Sequence, residues 1–159
     1  MPPIDDLDPA QYRALGELRY QIRRFLAFSE ATAREAELEP QQHQLLLVLK
    51  ALPPEVRPTV RVVAERLLIQ HNSAVELVRR SAERGLVERR VGKEDRREAC
   101  LHITPAGQRI LHRLTLAHRA ELQTAAPALV DALRAAVGGG KRKRPRRSSA
   151  ARKATGDDA

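Results

Sequence analysis

Residues 59–107 read TVRVVAERLLIQHNSAVELVRRSAERGLVERRVGKEDRREACLHITPAG, and the order of signals in this stretch decides the fold. Thr59 offers an N-cap for a short helix whose inner face is Val60, Val63, Ala64 and Leu67, with Glu65 and Arg66 outside. After Leu68, Ile69, Gln70 and His71, either Asn72 or Ser73 caps a second helix. In it Ala74, Val75, Val78 and Ala82 fall within about 100° of one another on a 3.6-residue wheel. Its other face holds Ser73, Glu76, Arg80 and Glu83. Gly85 stands where a left-handed residue ends that helix, so Leu86 and Val87 fold back on its last turn. Residues 87–91 and 98–103 read as two short strands, the second alternating Ala99, Leu101 and Ile103 inward against Cys100 and His102. Residues 92–97 form a charged hairpin tip between them, and Thr104-Pro105 opens another helix.

Working outward, Asp8, Pro9 and Gln11 supply an N-cap carboxylate, a proline at the first helical position and a side chain that closes a capping box. Leu15, Leu18, Ile22, Phe25 and Leu26 then recur at helical spacing, and the stripe continues to about residue 37. Pro40 starts an apolar, buried helix that Pro53 and Pro54 stop, with Pro58 in the loop that follows. Beyond Pro105, Ile110, Leu111, Leu114 and Ala117 share one side of a helix running to about residue 125. Pro127 is expected to open a separate last helix that ends at Gly138. Residues 138–159 contain almost nothing to bury and are expected to form a disordered basic tail.

At 159 residues, the chain has room for one domain of usual size with a tail. Aromatic residues make up 3% and tryptophan is absent, so the core must be aliphatic. Cys100 is the single cysteine, which excludes an internal disulfide, a CxxC pair and a cysteine-rich zinc module. No run of about 18 apolar residues suggests a membrane span, and the acidic, proline-bearing start is unlike a signal peptide, so a cytoplasmic protein is expected. The net charge of +9 is uneven. Residues 1–40 carry five positive and eight negative charges, whereas residues 57–97 carry eleven against six and the tail eight against two. A field concentrated in this way suits a polyanion, because each Lys or Arg placed at a phosphate releases condensed counterions.

A short helix, a tight turn, a second helix and a charged two-stranded hairpin together make a winged helix-turn-helix, in a mainly α (α+β) domain spanning residues 8–137 with a DNA-binding lobe at 59–103. Such a unit lays its second helix in the major groove and its hairpin tip on the backbone or in the minor groove. Asn72, Ser73, Glu76 and Arg80 are then expected at base edges, Arg79, Lys93, Arg96 and Arg97 at phosphates or the minor groove, and Gln70 and His71 on the same DNA-binding surface. Glu76 and Arg80 also stand four apart, a spacing that equally serves a solvated helical ion pair.

Three stretches resemble the multiple antibiotic resistance regulator (MarR) family of winged helix-turn-helix transcription regulators. They are LEPQQHQLL at residues 38–46, AERL at 64–67 continuing through GLVER at 85–89, and EDRR at 94–97 leading into LHITPAG at 101–107. The likeness covers roughly residues 11–137, and the hairpin tip is shorter than in many relatives. It implies that Arg96 or Arg97 touches DNA. It further implies that the long N-terminal helix (8–37) and the C-terminal helices (104–137) form a homodimer interface, which Leu15, Leu18, Ile22, Leu111, Leu114, Leu129 and Leu133 would occupy here. Two-fold symmetry then calls for recognition helices about one DNA turn, ~34 Å, apart and an inverted-repeat operator. Many relatives bind small aromatic effectors, and Arg19, Tyr20, Arg23 and Phe28 are the residues that could meet one, although aromatics at this spacing also serve interface packing.

Catalytic and metal chemistry find no support in the spacing. His112 and His118 stand six apart, about 120° from each other on a helix, with no cysteine or paired carboxylate beside them, so no metal or other cofactor is expected. Ser73 and His71 have no orienting carboxylate. The expectation is therefore a non-enzymatic, homodimeric regulator of repressor type that binds double-stranded DNA on a bacterial-type nucleoid, with a small-molecule effector as a further partner. Two alternatives stay open: a sequence-tolerant architectural protein gripping DNA through the basic tail, and a protein-interaction module whose hairpin does not meet DNA.

Overall fold

A computed structural model describes residues 8–91 and 99–138. Five helices and one hairpin follow in the order α1 (Pro9–Glu35), α2 (Pro40–Ala51), α3 (Val60–Leu67), α4 (His71–Glu83), β1 (Val87–Arg90), β2 (Cys100–Ile103) and α5 (Pro105–Gly138). The strands pair antiparallel, Val87 facing Ile103 and Arg90 facing Cys100. The Leu101 N–H extends the sheet by donating to the Pro58 carbonyl, 2.7 Å away, which ties the loop before α3 to β2. The architecture is a winged helix-turn-helix lobe, α2 to β2, carried between two long helices that pack along each other.

Local chemistry explains the boundaries. Asp8 caps α1, its Oδ1 accepting the Ala10 N–H at 3.0 Å, while the Asp8 N–H donates to Gln11 Oε1 at 2.9 Å, a closed capping box. At the end of α4, Gly85 adopts φ 68° and two bonds seal the turn: Gly85 N–H to the Ala82 carbonyl and Leu86 N–H to the Ser81 carbonyl, both 2.9 Å. This is a Schellman motif with glycine in the left-handed position. Thr104 starts α5, its hydroxyl accepting the Gly107 N–H at 3.1 Å and donating to the Gly85 carbonyl at 2.6 Å, so one side chain caps a helix and joins it to the preceding turn.

The core is aliphatic: Leu45 and Leu46 of α2, Val63 and Ala64 of α3, Ala74, Leu77 and Val78 of α4, and Leu86, Val87 and Leu101 of the hairpin surround Leu111 and Leu114 of α5. Three sequence expectations are corrected here. The buried face of α4 is Ala74, Leu77, Val78 and Ser81, rotated from the expected one so that Val75 is 38% exposed; Ser81 fits inside because its hydroxyl donates to the Leu77 carbonyl at 2.8 Å. Leu111 and Leu114, expected at an interface between chains, are buried in the core of their own chain. Pro127 does not open a new helix; α5 runs through it without a break for 34 residues.

Candidate nucleic-acid interface

Helix α4 begins at His71, earlier than its polar residues suggest. Gln70 takes the N-cap position in an extended conformation, and its carbonyl accepts the Ala74 N–H at 3.0 Å without help from a side chain. Asn72 and Ser73 are therefore not caps but members of the first turn. Gln70, His71, Asn72 and Ser73 are all exposed, and their side chains make no hydrogen bond to another described residue. A cluster of unengaged donors and acceptors at the leading end of a helix can read base edges.

Further along α4 the polar side chains are already engaged. Arg79 bonds both Glu76 and Glu83, with Glu76 Oε1 at 2.6 Å. The Arg79 hydrogen bond holds the Glu76 carboxyl below the ordinary carboxylate range, and Arg79 is itself raised by its two acidic partners. Arg80 turns away from the helix's leading end to pair with Glu39 at 3.1 Å, its Nε buried, so the i,i+4 pair with Glu76 does not form. Arg84 donates to Gln42 Oε1 at 3.0 Å and to the Glu37 carbonyl. Arg80 and Arg84 thus brace α4 against the α1–α2 junction, where Glu37 sits at φ 59°. The expected wing contacts Lys93, Arg96 and Arg97 lie outside the described residues.

The four residues considered for an effector are not gathered into a pocket. Arg19, Tyr20 and Arg23 are exposed on α1, Arg24 lies 6.0 Å from the Tyr20 ring centroid, and Phe28 packs edge-on against His118. An open cavity of about 1120 Å³ lies elsewhere, between the hairpin and α5, lined by Ile103 and Ile110 with Arg90, Arg109 and Arg113 among its neighbours. Neither this cavity nor the contact of His43 with His118 was foreseen from sequence, because both depend on how α5 crosses the lobe.

The histidine pair has a measurable consequence. His43 is buried with its Nδ1 unpartnered, and its ring centroid lies 4.7 Å from that of His118, whose ring bonds the Ser29 hydroxyl at 2.8 Å and the Leu114 carbonyl at 2.6 Å. Burial first, and repulsion from His118 second, push His43 down to about 4 from its ordinary 6.5. Between these values the unfolded chain binds a proton that the folded chain refuses, so stability is complete above the upper value and declines as pH falls toward the lower one. Lowering the pH from 7 to 5 should cost about 2 kcal/mol through this residue. Urea titrations at both pH values should show His43→Phe losing less stability than the parent, and equal losses would contradict the assignment.

Comparison with known proteins agrees with this geometry. Residues 36–98 match a model of the MarR family. Over that segment the chain is similar to the family. It is 29% identical over 124 residues, 75% of this chain and 73% of the relative, to a Thauera aromatica protein described as a candidate transcriptional regulatory protein for the hcr operon. The fold resembles that of the Staphylococcus aureus MepR–DNA complex, with a TM-score of 0.57 and 17% identity over 76% of this chain and 89% of that one. CouR from Rhodococcus jostii RHA1 bound to p-coumaroyl-CoA gives 0.58 and 22%, over 74% and 86%. The matched segment runs from the α1–α2 junction through the helix-turn-helix and β1, and stops short of β2.

Proposed function

We propose that this chain is a homodimeric transcription regulator of repressor type that binds an inverted-repeat DNA operator and catalyses no reaction. The observation that carries this reading is the leading turn of α4, where Gln70, His71, Asn72 and Ser73 stand exposed and unengaged on a helix that Arg80 and Arg84 brace from behind. Asn72 and Ser73 meet base edges, with Gln70, His71 and Glu76 beside them; Arg79 gives up part of its acidic pairing for a phosphate, and Lys93, Arg96 and Arg97 hold the backbone or minor groove from the hairpin tip. Support for the dimer comes from apolar side chains that the chain itself leaves uncovered: Leu15, Ile22 and Leu26 on α1, and Leu116, Leu122 and Leu133 on α5. Leu18 and Leu129, half-buried on the same helices, complete the interface.

A small-molecule effector acts, in this reading, by changing the spacing between the two recognition helices. The ligand-bound state of CouR supports such a partner. The protein works in the cytoplasm on nucleoid DNA; no described helix is long and apolar enough to cross a membrane.

The site is tested by replacing Asn72 and Ser73 together with alanine. Losing two base contacts should weaken operator binding by about 2–4 kcal/mol while leaving affinity for unrelated duplex unchanged, both measured by fluorescence anisotropy at one salt concentration. Equal weakening on both duplexes, or none, would contradict base reading by this turn.

A further inference from the structure

Helix α3 ends in an unusual way. Leu68 adopts φ 55° and ψ 41°, and its N–H and that of Ile69 close the turn on the Glu65 and Ala64 carbonyls at 3.3 and 3.1 Å. This is the backbone geometry that Gly85 provides after α4, yet here an L-residue with a branched side chain occupies the position, and its Cβ crowds the following carbonyl. The leucine gains nothing from the fold in return, because its side chain is 92% exposed. Glu37, the other non-glycine residue at positive φ among the described residues, differs in that its carbonyl accepts Arg84 and so anchors a tertiary contact. An outlier that is both conformationally costly and left in water points to a function outside the folded chain.

Its position says what that function is. Leu68 lies two residues before the N-cap Gln70, on the turn that leads into the exposed polar end of α4. Once that end enters the major groove, the preceding turn stands at the groove's rim. The one strongly apolar group that bases present in the major groove is the thymine C5-methyl. We infer that Leu68 is a specificity-determining residue that packs on a thymine methyl at the edge of each half-site. The inference rests on the reading that α4 meets DNA, and it adds a base preference at a position that the polar side chains of α4 do not cover.

The contact gives stability and affinity opposite signs. Leu68→Gly relieves the left-handed leucine, so the melting temperature should rise by several degrees, while affinity for a duplex selected by the parent protein should fall about tenfold. Replacing the edge thymines of that duplex one at a time with deoxyuridine removes only the methyl group. One such replacement should weaken the parent protein about as much as the leucine change does, and should have no effect on Leu68→Gly. Leu68→Asn, which tolerates the same backbone, should behave as the glycine variant does toward DNA. Unchanged affinity of Leu68→Gly, or a parent protein indifferent to every deoxyuridine, overturns the leucine contact alone. A parent protein that selects no duplex overturns the DNA reading, and this contact with it.

Discussion

Gly107→Ala is expected to lower the melting temperature by about 10 °C, whereas Gly16→Ala, which adds the same methyl group, is expected to raise it. A Cβ at Gly107 would lie 2.3 Å from the Leu86 carbonyl oxygen and 3.0 Å from Ile103 Cγ2, and the nearer neighbour is backbone that cannot rotate aside. That carbonyl also accepts the Thr104 N–H at 3.0 Å, so moving it loosens the joint between hairpin and α5. Overpacking at such a point costs about 3 kcal/mol. At Gly16 nothing lies within 4 Å, and the residue sits in the interior of α1, where alanine is favoured by about 1 kcal/mol. Thermal unfolding of the two variants beside the parent decides the matter, and a tolerated Gly107→Ala would contradict the packing of α5 against the Leu86 turn.

Ile22→Glu is expected to convert the proposed dimer to monomer. Ile22 is 41% exposed within one chain and stands between Leu15 and Leu26 on the uncovered stripe of α1, so its side chain adds little to the fold but sits centrally in the proposed interface. Burying a carboxylate there against a copy of itself should cost about 3 kcal/mol or more, a hundredfold or greater increase in the dimer dissociation constant. Sedimentation equilibrium reads that change directly, and circular dichroism should show the helices intact. Operator affinity should fall as well, because two linked half-site contacts become separate binding events. An unchanged dimer would move the interface away from α1.

Much of this molecule was legible in the sequence because its punctuation is chemical. Asp8, Thr104 and Gly85 announce a helix start, a helix start and a left-handed helix end, and each performs that task. The proline at 127 misled for a reason that the same logic exposes. Pro9 follows Asp8, and Pro105 follows Thr104, each preceded by a side chain that caps; Pro127 follows Ala125 and Ala126, which offer no acceptor. Alanine and leucine on both sides favour a continuous helix strongly enough to carry an exposed proline. What composition and spacing conceal is tertiary choice. Leu111 and Leu114 share the heptad-like pattern of interface residues, and only the crossing of α5 over the lobe assigns them to the core. Arg80 looks like a base reader until Glu39, forty-one positions earlier, is brought beside it.

The central claim, that α4 reads sequence on both halves of an inverted repeat, is tested most directly by selection from a randomised duplex library. Purified full-length protein is bound at near-physiological salt, and the retained DNA is sequenced over several rounds. The account predicts enrichment of an inverted repeat whose half-sites are centred about one helical turn, ~34 Å, apart. Retention of DNA without any enriched sequence, or no retention at all, would contradict it.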